Sequence, residues 1–113
     1  MKLVFFVVNR EELLDDVLTA FMEADVPGAT IIDSEGMGRF LTYEVPLFAS
    51  FQQFMKGARP YNKTILSLVD SDEKVDALVA LLEQVVGSLS EPGTGILFTV
   101  PVDRVFGLRQ TMR

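Results

Sequence analysis

Two short glycine pairs and two arginines are the residues whose types best suit binding. They are Gly36 and Gly38 with Arg39 directly after, Gly93 and Gly95 around Thr94, and Arg109 near the C-terminal end. Glycine lets backbone N–H groups approach an anion closely, and a guanidinium offers a planar cationic fork. Glycine pairs also form ordinary turns, and lone arginines commonly end in surface ion pairs. The residues taken alone leave both readings open. Acid–base chemistry is poorly provided for. The chain has no histidine and no cysteine, which removes imidazole bases, thiol nucleophiles, disulfide frameworks and zinc fingers. The paired acids Asp15–Asp16 and Asp72–Glu73 fall on helix exteriors or at a helix start, where they complement the dipole. No catalytic residue and no metal site is expected.

The elements that must carry these residues follow from hydrophobic period. Leu3 to Val8 is a continuous β-branched and aromatic run, as in a strand covered on both faces. Asn9 with Glu12 three positions on forms a capping-box pattern. The stripe Leu14, Val17, Leu18, Phe21, Met22 then predicts a helix, stopped by Val26-Pro27-Gly28. Ala29 to Ser34 reads as a second strand and Thr64 to Val69 as a third. Asp70 and Glu73 open a second helix with the stripe Val75, Leu78, Val79, Leu82, Val85, Val86 and Gly87 at its end. After Pro92-Gly93-Thr94-Gly95 comes a fourth strand, Ile96 to Val100. The order βαββαβ predicts an α+β, ferredoxin-like sandwich: one domain over 1–113, a four-stranded antiparallel sheet with two helices on one face.

Apolar residues make up 49% of the 113-residue chain, and the mean hydropathy is +0.30. The strands are apolar at consecutive positions, so the sheet face without helices would be an exposed apolar patch. Burial against further copies of the chain is the expected remedy. The long gap Gly36 to Asn62 holds a helical pattern between Pro46 and Gly57, with Leu47, Phe48, Phe51, Phe54 and Met55 on one stripe. That stripe either docks a partner or packs back on its own assembly. Tyr61, beside Pro60, reads as a packing residue, and Asp103 beside Arg104 as an ion pair.

The net charge is −6, without the clustered Lys and Arg that nucleic-acid binding needs. The N-terminal apolar run is too short for a signal-peptide core and leads straight into charged residues. No stretch approaches a membrane span. A cytoplasmic chain is expected.

Taken together, Gly28-Ala29-Thr30-Ile31-Ile32 leading to Gly36-Met37-Gly38-Arg39, the run Gly93-Thr94-Gly95-Ile96-Leu97-Phe98, and Val102 through Arg109 resemble the nitrogen-regulatory P-II family and its P-II-like relatives nearly end to end. The resemblance implies a trimer that binds an adenine nucleotide in clefts between subunits and regulates a protein partner through a T-loop, here 40–62. It implies ligand contacts from Gly36, Gly38, Arg39, Gly93, Thr94, Gly95 and Arg109, while the apolar stripe of the 40–62 segment offers Phe48, Phe51 and Phe54 for docking. A membrane would be reached only through a partner transporter. Three positions depart from the family pattern. Ile96 stands where a phosphate-binding Lys is usual, Gly107 where the first of two Arg is usual, and Phe40 where a Gln helps hold magnesium and 2-oxoglutarate. Fewer cations suit AMP or ADP better than magnesium-bound ATP. An alternative is a nucleotide-free interaction trimer of the divalent-cation-tolerance type. Acylphosphatases share only the scaffold, since Val8-Asn9-Arg10-Glu11 lacks their phosphate loop.

Overall fold

A computed structural model describes residues 1–37 and 61–108. The expected order is found: β1 (Lys2–Val8), α1 (Leu14–Glu23) after a 3₁₀ turn at Glu11–Leu13, β2 (Thr30–Glu35), β3 (Tyr61–Val69), α2 (Asp72–Val86) and β4 (Gly95–Pro101). The strands form one antiparallel sheet in the order β2-β3-β1-β4. Both central strands are the apolar runs that periodicity marks as buried, and the two edges are β2 and β4. This is an α+β arrangement of the ferredoxin-like kind.

Side chains alternate across the sheet. Val4, Phe6 and Val8 of β1 and Ile65 and Val69 of β3 are buried beneath the helices. They join Val17, Ala20 and Phe21 of α1 and Leu78 and Leu82 of α2 in one core. A fully buried side chain of this size contributes about 1.5–3 kcal/mol, so this layer holds the helices on the sheet. The opposite face is open. There Phe5 stacks on Phe98 at 4.8 Å between ring centroids, and Ile32, Ile96, Phe98 and Val100 remain exposed. The apolar face expected from consecutive strand positions therefore exists.

The helix ends differ in detail from the sequence reading. Asn9 does not cap the first helix: the 3₁₀ turn and α1 both start without a side-chain cap. The 3₁₀ turn places Arg10 and Leu13 at those positions, and the Asn9 amide is engaged elsewhere. Ser71, not Asp70, caps α2, its hydroxyl accepting from the Lys74 N–H at 3.2 Å. Asp70 instead accepts from the Lys74 ammonium at 3.4 Å, and Asp25 lies 3.1 Å from the same ammonium. Among the described residues, Asp25 is also the non-glycine residue with a left-handed backbone, φ 62°, where α1 ends and its N–H donates to the Met22 carbonyl. The ion pair thus ties the end of α1 to the start of α2. Chiefly through its hydrogen bond to Asp25, the Lys74 pKa lies above the ordinary lysine value. Lys63 is raised likewise, chiefly by its hydrogen bond to Asp33.

β3 starts at Tyr61, three residues before the expected strand, and Tyr61 is about half exposed. Arg104 does not pair with Asp103; its guanidinium lies 4.9 Å above the Phe106 ring. No described helix is long and apolar enough to cross a membrane. The proposed helix between Pro46 and Gly57 lies outside the described residues.

Candidate functional site

The strand register decides where the candidate residues sit. β1 pairs with β4 from Lys2↔Pro101 at one end to Val8↔Gly95 at the other. Six residues of strand separate these ends by roughly 20 Å. Gly93, Thr94 and Gly95 therefore gather at the end where β1 finishes and β3 begins. β2 also finishes there, with Glu35 opposite Tyr61, so Gly36 emerges at the same end. Gly36 follows one edge strand and Gly95 opens the other. Three strand-to-strand steps put the two edges about 14 Å apart.

The glycine-rich turn is built from conformations that side chains resist. Gly93 has φ 81° and Gly95 φ 147°. A Cβ on Gly95 would lie 2.6 Å from the Val7 carbonyl oxygen and 3.6 Å from the Phe6 ring. The turn closes through Thr94 N–H to the Glu91 carbonyl at 3.4 Å and Glu91 N–H to Ser88 at 3.1 Å. The Asn9 side-chain amide donates to the Gly93 carbonyl at 3.0 Å across 84 residues of sequence. Gly36, by contrast, meets nothing that would exclude a Cβ. Gly95→Ala is expected to lower unfolding free energy by about 1–3 kcal/mol, read by urea denaturation. A neutral result would mean that β4 starts elsewhere.

A cavity lies at the opposite end of the sheet. Its volume is about 740 Å³, and Leu3, Gly28, Thr30, Leu66, Leu68 and Gly107 line it. That size accommodates a small organic ligand. Its lining joins the open sheet face, the Lys74 ion pair and Gly107–Leu108 of the C-terminal stretch. Neither Gly36 nor the Gly93–Gly95 turn reaches this cavity. A second, smaller cavity of about 340 Å³ adjoins the end of β2 and is lined by Glu11, Asp33, Glu35, Asn62 and Lys63. Beside it the Ser34 hydroxyl contacts the Thr64 hydroxyl at 2.8 Å and donates to the Asn62 side chain.

Of the ligand residues expected from sequence, the structure brings Gly36, Gly93, Thr94 and Gly95 to one end. Gly38, Arg39 and Arg109 lie outside the described residues, as do Phe48, Phe51 and Phe54. Gly107, the residue standing in place of an arginine, has φ 87°. Ile96, standing in place of a lysine, holds its side chain exposed on the open face. Sequence reading did not single out Leu66 or Leu68. As strand residues with an alternating pattern, they carry no mark of a cavity until β2 and β3 are paired. Among the described residues no group of three or more acids could hold a metal ion.

No curated protein matches the sequence in a direct comparison. A family model, that of nitrogen regulatory protein P-II, matches residues 1–112. The match spans both glycine pairs, the long β2–β3 connection and the C-terminal stretch, in one βαββαβ chain. Over that extent it makes this chain a member of the P-II family, whose proteins are regulators rather than enzymes.

Proposed function

We propose that the chain is a ligand-sensing regulator that assembles as a trimer and holds a small adenylyl ligand in the clefts between its copies. The observation that carries this is the separation of the two half-sites. The glycine-rich turn and the cavity under Gly107 lie at opposite ends of one sheet, and the apolar face between them is uncovered. A neighbouring copy laid on that face would set its own cavity end beside the first copy's glycine turn, which no single copy can do. Arg39 and Arg109 would then supply the phosphate cations.

The exposed Ile96 and the glycine at 107 weaken the case for a triphosphate, because desolvated phosphate charge needs compensating cations. AMP or ADP is the favoured ligand, without magnesium. The output would be a shift in the 40–62 segment, which presents or withholds Phe48, Phe51 and Phe54 to a protein partner. The acidic charge argues against nucleic acid as that partner. We place the protein in the cytoplasm, meeting a membrane only through a partner transporter.

The test is a thermal-shift panel with AMP, ADP, ATP, cyclic dinucleotides, S-adenosylmethionine and bicarbonate, each with and without magnesium. A ligand at a hundred times its dissociation constant stabilises by about 2.7 kcal/mol, a rise of order 10 °C in Tm. The expected result is a rise with AMP or ADP that disappears in Arg39→Ala and Arg109→Ala. Silence across the panel would favour the second reading, a nucleotide-free interaction trimer of the divalent-cation-tolerance type, to which the missing cations also point.

A further inference from the structure

Asn9 stands where a helix cap is expected, directly after β1 and three residues before Glu12. The structure diverts it. Its side-chain amide donates to the Gly93 carbonyl at 3.0 Å, while the first helix starts with no side-chain cap at all. An asparagine that leaves an adjacent helix start uncapped to reach a turn 84 residues away is explained by what it does at that turn.

The turn is held at two points. Gly95 is seated on β1, paired with Val8 and with no room for a Cβ over the Val7 carbonyl. Gly93, two residues earlier, has a left-handed backbone and no side chain to anchor it. Among the described residues, the Asn9 amide is the side-chain donor that reaches the Gly93 carbonyl. Because the peptide unit is planar, fixing that carbonyl also fixes the direction of the Thr94 N–H on the other side of the bond.

We propose that Asn9 is a positioning residue: it locks the Gly93–Thr94 peptide, whose N–H closes the turn onto the Glu91 carbonyl, so that the turn is held in one conformation for the anionic part of the ligand. This rests on the reading of the turn as a ligand site given above. Asn9 touches the turn and not the ligand, so its loss acts on affinity through the order of the turn. Part of the ligand's binding free energy is then used to order a loose loop.

The experiment uses the full chain with AMP and ADP as probes. Asn9→Asp keeps the shape but presents a carboxylate that cannot donate and that faces a carbonyl oxygen. Asn9→Ala removes the group. Amide hydrogen exchange by NMR on the ligand-free proteins, and calorimetric titration with each nucleotide, are measured side by side. In both variants the Thr94 and Gly95 amides should exchange about tenfold faster, and affinity should fall roughly fivefold to tenfold, the scale of one neutral hydrogen bond. Tm should stay within a few degrees, since Asn9 caps no helix. Unchanged exchange at Thr94 and Gly95 overturns the clamp, whatever the nucleotides do. Faster exchange with unchanged affinity overturns the positioning role and leaves a structural tether. If the wild-type protein binds neither nucleotide, the ligand reading itself fails and the positioning role with it, while the exchange data still report whether the tether exists.

Discussion

Phe6→Ala is expected to lower the unfolding free energy by about 3–5 kcal/mol, read as a drop in the urea midpoint at fixed protein concentration. Phe6 is fully buried at the middle of β1, with Ile65 of β3 and Leu97 of β4 as its flanking partners. It belongs to the same core as Phe21, Leu78 and Leu82 beneath the two helices. Truncation removes the transfer free energy of a benzyl group and leaves a cavity, because close-packed neighbours relax only partly. Its ring also approaches the space above Gly95, so the glycine turn should loosen along with the core. Against a total stability of about 5–15 kcal/mol for a domain, this single change takes a large share. Phe106→Ala is the matched control: Phe106 is 80% exposed, and its loss should change stability by less than about 0.5 kcal/mol. A loss below about 1 kcal/mol for Phe6→Ala would mean that the helices do not pack on this face.

Phe98→Asp is expected to dissociate the assembly. Phe98, on the edge strand β4, stacks on Phe5 of the central β1 on the uncovered face and is 44% exposed in a single copy. If copies bury this face against one another as proposed, an aspartate there leaves an unpaired carboxylate in a desolvated interface in every copy, at a cost of several kcal/mol each. Light scattering at micromolar concentration should give three times the 12.6 kDa chain mass for the wild type and the chain mass for the variant. Thr99→Asp supplies the control. It puts the same charge one residue along β4 on the opposite face, where Thr99 pairs with Val4, and should leave the mass unchanged. A wild-type protein that scatters as a monomer would sink both the assembly and the shared cleft.

How much of this was legible beforehand depends on the range of the interactions involved. The four strands and two helices were readable because apolar period is local: a helix must bury one stripe and a central strand both faces. Their ends were less so, since an end is a competition among a few neighbouring donors. Asn9 and Asp70 both had the composition of caps. Asn9 lost that role because Gly93 arrives within reach only when β4 pairs with β1. Asp70 lost it because the Ser71 hydroxyl meets the free Lys74 N–H while Asp70 takes the Lys74 ammonium.

Element order, the core stripe, the uncovered apolar face and the two glycine pairs are all set by the types and spacing of near neighbours in the chain. That Gly95 is obligatory and Gly36 is not comes from packing across the sheet, since the difference is the Val7 carbonyl standing over one and open space over the other. The fold alone decided that the cavity lined by Leu3 and Gly107 lies some six strand residues from the glycine turn, because antiparallel register sets which end of the sheet each loop reaches. Gly95, which opens β4, and Gly107, which follows it, are thereby sent to opposite ends of the sheet, and no period along the chain records that distance.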